Sequence, residues 1–423
     1  MSGNALPRKI MILGAGPIGL ETALYASQLG YDVQVLEKGE PGNHIRQWGH
    51  VRLFSPFSMN HTPLGKRVVE SLGVEMPGGD EYITGRHYVE VYVKPLANSP
   101  QLKPLIRTHT RVLAVGRRHI LKNEHIGNGH RIREPFKILV RDWHGKEEYL
   151  YSDIVIDCTG SYSEPNWLGD GGIPAIGETE NRHRIQYWLD NINGESRRKY
   201  LGKTTLLVGG GHSAANSMVA FASLFEETPG TQVVWLTRQG GETPLKAVEN
   251  DPLAERDRIV REANALVTHP NVEWLKEAIV EAVAFDPGDQ KFRVTVNRNG
   301  DSREIVVDHI IANVGFSPDN HLYQELQVHE CYASRAPMKL AAALLSEDSS
   351  ADCLTQSGKG PEVLKNPEPN FYILGMKSYG KNTNFLLRVG YEQIRDVFQL
   401  ITGEETLDLY GKATAEAKET GEI

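Results

Sequence analysis

Two short stretches of this chain carry residues whose types and spacing can do chemistry. The first is Gly14-x-Gly16-x-x-Gly19, with Pro17 and Ile18 inside it, set between an apolar run (10–13) and a stretch with small and apolar residues on one face (21–29). In that setting the first glycine permits a tight turn and the second lets backbone N–H groups approach a pyrophosphate. The third lets a helix lie close on a strand. The helix N-terminus then turns its positive dipole end toward the phosphates. The next apolar run (32–36) ends in Glu37, at the spacing where an acid grips a ribose 2′-hydroxyl. The second stretch, Gly209-x-Gly211-x-x-Ala214, holds His212 and Ser213 and follows another apolar run (203–208). Its own next strand (231–236) is followed by Thr237 and Arg238 and no acid. A carboxylate repels a 2′-phosphate and a guanidinium accommodates one. The first unit is therefore expected to take an unphosphorylated adenosine ribose, as in FAD or NAD, and the second to take NADPH.

The elements that must hold these turns follow in order. The loop after Glu37 carries Lys38, His44, Arg46, Trp48, His50 and Arg52. It reads as an irregular crossover, part of which is expected to face the cofactor or substrate. Helices are expected over 63–72 and 85–96. Strands at 111–115, 136–140 and 147–151 read as an antiparallel meander. A buried strand from 154 runs into Gly160 and closes the first unit. A helical patch is expected around 185–189. A strand at 308–313 runs into Gly315 and closes the second unit. The last third offers a helix at 341–345, a strand at 371–374 ending in Gly375, a helix from Asn384 to about 401, and a charged, frayed tail after Thr406.

Composition narrows the class. At 423 residues, with 40% hydrophobic and 24% charged residues, the chain has the makeup of a soluble globular protein of two or three domains. A net charge of −8 argues against a nucleic-acid partner, which wants a basic face. No apolar run reaches membrane-spanning length. Three cysteines do not make a disulfide framework, and the cytoplasm is the expected location. No metal-ligand spacing stands out. A homodimer is the default oligomeric expectation.

Taken together, the motifs resemble the flavoproteins with two dinucleotide-binding domains, a group that includes flavin-containing and N-hydroxylating monooxygenases and thioredoxin-reductase-like proteins. The matching residues are Gly14 to Gly19 with Glu37, Asp157 to Gly160, Gly209 to Ala214 with Arg238, and Asn313 to Asp319. The resemblance implies an α/β protein with two Rossmann-like domains, the NADP domain inserted in the FAD domain. The implied parts are 1–180 and 317–423 for FAD and 181–316 for NADPH. It further implies hydride transfer from NADPH to the flavin.

Two departures matter for mechanism. The family often closes on the flavin with a Gly-Asp pair that holds the ribityl chain, but Gly375 is followed here by Met376. Lys377 or Ser378 are the substitutes at hand. The helix start at Thr383, Asn384 and Phe385 is expected to aim N–H groups at the reduced flavin ring. The monooxygenase fingerprint before the second glycine turn survives only as a loosely spaced echo, Gly177, His183 and Tyr187.

No Cys-x-x-Cys or Cys-x₄-Cys pair exists. Cys158 reads as a structural residue in a buried strand. Cys331 and Cys353 share one irregular region, where they read as unrelated thiols, or else as a redox pair or as ligands of a soft group. Without a dithiol, electrons pass from the flavin to molecular oxygen or to a small molecule. A monooxygenase-like enzyme is the leading expectation. The rivals are a reductase of a low-molecular-weight disulfide and a slow-turnover redox sensor. No catalytic side chain is singled out.

Overall fold

A computed structural model describes residues 8–345 and 358–419. By internal contacts the chain divides into two units, one built from residues up to 46, 55–163 and from 317 onward, the other from 47–54 and 164–316.

The first unit is built on a five-stranded parallel sheet, in the order Phe371–Ile373, Ile154–Asp157, Lys9–Leu13, Asp32–Leu36, Ile106–Arg107. Ile10, Met11, Ile12 and Leu13 are fully buried because helices and a meander cover both faces. The helix Pro17–Gln28 follows the glycine turn with Pro17 in its first turn, where a missing N–H costs nothing. Thr62 caps the helix Pro63–Ser71 by accepting from Gly65 N, and Thr84 caps Gly85–Tyr88 by accepting from His87 N. That second helix continues through a wider π-type turn, Val89–Val93, into Lys94–Asn98. The meander Thr110–Arg117, Phe136–Asp142, Glu147–Ser152 is antiparallel as expected. It is pinned to the sheet by a buried cluster in which Glu368 accepts from both Arg117 and Arg131.

In the second unit four parallel strands run in the order Val272–Lys276, Gln232–Thr237, Thr204–Val208, His309–Ala312. Its helix His212–Glu227 packs beside Ala254–Ala265, over a core holding Met218, Phe221 and Trp235. A second meander, Ala278–Asp286, Lys291–Arg298 and Asp301–Val307, buries Phe292, Val294 and Val296 by alternation. That meander and the helix Ala254–Ala265 are additions to the sequence reading.

Several expectations are corrected. Residues 164–180 group with the second unit. There Glu178 accepts from Leu168 N, Ala175 N and Tyr187 Oη, tying the segment to its neighbours. Residues 185–189 are not helical: Gln186 N donates to Ile310 O and Ala312 N to Gln186 O, a parallel bridge on the sheet edge. The loop after Glu37 is not wholly irregular, since it holds the short helix Asn43–Gln47. The tail beyond Thr406 is not frayed at its start. It forms the helix Leu409–Glu419, held where Leu409 N donates to Tyr25 Oη and Arg67 to Ala413 O and Glu416. No helix among the described residues is long and apolar enough to cross a membrane.

Candidate cofactor sites

Backbone sterics set the first glycine turn. Gly14 adopts φ +94°, and a Cβ there would lie 2.8 Å from the Cys158 carbonyl oxygen. A Cβ on Gly19 would lie 2.0 Å from Gly14 O, so only glycine lets this helix sit on this strand. Gly16 is different: a Cβ there would meet nothing, so its face is open to an incoming group. Ile18 is buried against Gly375 and Gly390, and Phe385 reaches the same place. Three of the sequence-predicted residues, Ile18, Gly375 and Phe385, thus belong to one packed corner.

Glu37 ends its strand almost buried. One carboxylate oxygen accepts from Ala15 N and the other from Gly39 N, each at 2.8 Å. Each oxygen has a second lone pair, so the group can still accept from a vicinal diol. Beside it Lys38 Nζ donates to Ser163 Oγ at 2.7 Å, and Ser163 also meets His44 Nε2 at 3.1 Å. Burial, with Lys38 nearby, lowers the His44 pKa to about 4, so the ring is neutral at pH 7 and can accept. Arg46 is exposed. Trp48 falls in the 47–54 segment that groups with the second unit.

The second turn repeats the geometry with changed chemistry. Gly209 adopts φ +143°, and a Cβ there would lie 2.3 Å from Asn313 O. The Gly209 carbonyl oxygen accepts from Trp235 Nε1. Gly211 is open, as Gly16 is. Ala214 replaces the third glycine and is fully buried. Ser217 Oγ donates to Asn313 Oδ1 at 2.7 Å, fastening the helix to the closing strand before Gly315. His212 stands in the first turn of the helix, edge-on to Phe54. Burial lowers its pKa, and Arg256 adds to the effect. Ser213 follows it, half-buried. Arg238 is exposed just past the end of the strand Gln232–Thr237, with no ion pair among the described residues.

The C-terminal corner differs from expectation. The helix begins at Leu387, so Thr383, Asn384 and Phe385 lie in the preceding loop, where Asn384 N donates to Asn382 Oδ1. Thr383 and Asn384 are exposed. Lys377 and Ser378, the substitutes for the missing acid, are both bonded inward. Lys377 pairs with Asp157 at 2.6 Å, and Ser378 Oγ donates to Gly375 O and accepts from Gln393 Nε2. Neither pairing has a sequence signal, because the partners are 220 and 15 positions away with no shared motif.

Cys158 lies one residue past its strand, with its thiol 3.9 Å from Thr22 Oγ1, and burial pushes its pKa well up. A thiol held protonated is a poor nucleophile. Hydrogen bonding by Ser334 lowers the Cys331 pKa. Cys353 lies outside the described residues. No group of three or more His, Cys, Asp or Glu among the described residues could hold a metal ion.

A family model described as pyridine nucleotide-disulphide oxidoreductase matches residues 11–125. No curated protein sequence matches. Among solved structures, the chain is similar to bacillithiol disulfide reductase from Bacillus cereus, at 18% identity and a TM-score of 0.66, over 94% of this chain and 100% of that one. The chain has the fold of the flavoproteins with two dinucleotide-binding domains. A monooxygenase and an N-hydroxylase of this fold are also similar. One is the FAD-bound cadaverine monooxygenase from Erwinia amylovora, at 12% identity and TM-score 0.63, covering 96% of each chain. The other is the ornithine N-hydroxylase from a Kutzneria species, in a complex with reduced FAD, NADP⁺ and L-ornithine, at 12% identity and TM-score 0.61, over 95% of this chain and 100% of that one. The fold thus spans both disulfide reductases and monooxygenases.

Proposed function

We propose that the chain is an FAD- and NADPH-dependent oxidoreductase whose flavin gives electrons directly to a small acceptor, without a dithiol relay in the protein. The observation that carries this reading is the contrast at the two strand ends, a buried Glu37 carboxylate in one unit and an exposed Arg238 guanidinium in the other. Bound FAD would supply the redox chemistry, accepting hydride from NADPH and releasing electrons to the acceptor. The residues fit both groups. Gly16 and Gly211 leave backbone open to pyrophosphate, while Glu37 suits a free ribose diol and Arg238 a 2′-phosphate. The domain parts we propose are 8–46, 55–163 and 317–419 for FAD and 47–54 with 164–316 for NADPH.

Gly160, Gly315 and Gly375, each at positive φ, let the closing strands turn away beside these sites. Arg46 and Trp48 are proposed contacts from the loop after Glu37. Cys158, whose pKa is pushed up, has no second cysteine in a Cys-x-x-Cys or Cys-x₄-Cys pair, which supports direct transfer. Transfer to oxygen, as in a monooxygenase, is the form we favour. Reduction of a low-molecular-weight disulfide is the second form, favoured by the full-length match to bacillithiol disulfide reductase.

Rapid mixing separates the two. Protein reduced anaerobically with NADPH is mixed with oxygenated buffer while the flavin spectrum is followed. A long-lived species distinct from oxidised and reduced flavin supports oxygen activation. Direct return to oxidised flavin, with NADPH consumption that needs an added disulfide, supports the reductase. Failure of NADPH to bleach bound flavin would refute both.

A further inference from the structure

Lys377 lies on the turn that follows the strand Phe371–Ile373, and its ammonium is almost completely buried. It donates to Asp157 Oδ2 at 2.6 Å and to Thr159 Oγ1 at 3.1 Å, and it lies 5.1 Å from the centroid of the Tyr323 ring. Asp157 is equally committed. Its Oδ1 accepts from Thr159 N at 3.0 Å and Thr159 Oγ1 at 2.6 Å, and its backbone oxygen accepts from Leu374 N at 2.9 Å. One ion pair therefore fixes two strand exits at once, the turn 157–160 and the turn 375–380.

Both exits abut the first glycine turn. Cys158 O lies where a Gly14 Cβ would go, and Gly375 packs against Ile18. The second exit is fastened from its other side by a closed ring: Gly375 N donates to Gln393 Oε1, Gln393 Nε2 to Ser378 Oγ, and Ser378 Oγ to Gly375 O. A buried charge pair rarely adds net stability over apolar packing, and its best-attested use is to fix one arrangement among several. Lys377 also directly follows Met376, which stands where the acid that would hold a ribityl chain is missing.

We infer that Lys377 and Asp157 are positioning residues for the flavin: their ion pair sets the spacing of the two strand exits that flank the first glycine turn, in place of a direct carboxylate contact to the cofactor. This rests on the flavin reading above. The pair is inside the protein and acts through the backbone of 157–160 and 375–380.

The experiment compares the holoprotein with Lys377→Met, Asp157→Asn and the double variant. FAD dissociation is followed by the recovery of flavin fluorescence, with NADP⁺ affinity and thermal unfolding measured alongside. Each single variant is expected to weaken FAD binding at least tenfold while NADP⁺ affinity stays within twofold. The double variant is expected to lose FAD affinity at least tenfold, and no more than the weaker-binding single variant, since the two residues act as a unit. Where a single variant fails to fold because it buries an unpaired charge, the double variant, which buries none, carries the test. A folded double variant whose FAD affinity changes less than threefold would overturn the positioning role, whatever its melting temperature. So would parallel loss of FAD and NADP⁺ binding, which marks a purely structural pair. A parent protein that retains no FAD would instead reject the flavin reading, and this inference with it.

Discussion

The two glycine turns solve the same steric problem with different residues, and the differences sort structural needs from chemical ones. Both turns hold glycine where backbone crowds the first position: Gly14 against Cys158, Gly209 against Asn313. Both leave the second glycine open. They part at the third position, Gly19 against Ala214, and two residues later, where Glu21 is matched by Asn216. They part again at the strand end, Glu37 against Arg238. The first unit leaves no room for a methyl group at that position and puts charge inside, while the second holds a methyl group there and keeps its charge in water. On the proposed reading, a flavin retained by one unit and a nicotinamide exchanged by the other would make these different demands.

The largest effect expected from this contrast is at the third position. Gly19→Ala puts a Cβ 2.0 Å from Gly14 O, against backbone that cannot yield. The variant should lose bound FAD and most of its stability, read by flavin absorbance and thermal unfolding. A Gly19→Ala protein that keeps its flavin would show that the close approach is dispensable.

Next in size is the buried acid. Glu21 accepts from Thr62 Oγ1 at 2.7 Å and from Tyr92 Oη, and burial raises its pKa from 4.5 to about 7 despite those bonds. A carboxyl whose folded pKa is raised contributes stability that is fully present below pH 4.5 and is lost as pH rises through about 7. The shift corresponds to about 3 kcal/mol at most. Glu21→Gln should therefore unfold at a higher denaturant concentration than the parent at pH 8.5, and the advantage should vanish near pH 5. A pH-independent difference would contradict the raised pKa. The matched Asn216, which donates to His212 O, carries no such pH dependence.

On the proposed reading, Arg238→Ala would remove a charge-assisted contact to the 2′-phosphate, worth about 1.5–3 kcal/mol. It should raise the NADPH KM by roughly 10- to 100-fold at an NADH KM that barely moves. Equal losses with both nucleotides would remove the phosphate role. The smallest effect is at Ala214: Ala214→Gly should cost about 1 kcal/mol through helix propensity, with nucleotide binding retained.

How much of this is legible in the sequence follows from the range of each interaction. The glycine turns, the strands before them, Glu37 and Arg238 can be read because their logic is local and periodic. The first meander can be read from its alternation. The bridge at Gln186 cannot, because a short apolar patch carries no period that separates helix from strand. The helix Leu387–Thr402 is legible, but its start reads three residues early, since Leu386, its N-cap, is not a capping residue type. The docked helix Leu409–Glu419 reads as frayed because its anchors, Tyr25 and Arg67, lie more than 340 residues away. The Lys377–Asp157 and Arg117–Arg131–Glu368 pairs are invisible for the same reason.

The strand Phe371–Ile373 has a consequence for synthesis. It pairs with Ile154–Asp157, and the first sheet is complete only when it arrives. At about 5–20 residues per second, a ribosome takes roughly 10–40 s to travel between those two strands. Throughout that interval the nascent first unit exposes the flank of its Ile154–Asp157 strand, while residues 164–316 emerge without interruption and already hold all four strands of the second sheet. The second unit can therefore fold first, and on the proposed reading the first unit can take up its flavin only after residue 373 has been made. A truncation before residue 371 should bind NADP⁺ and accumulate as a flavin-free, chaperone-dependent species.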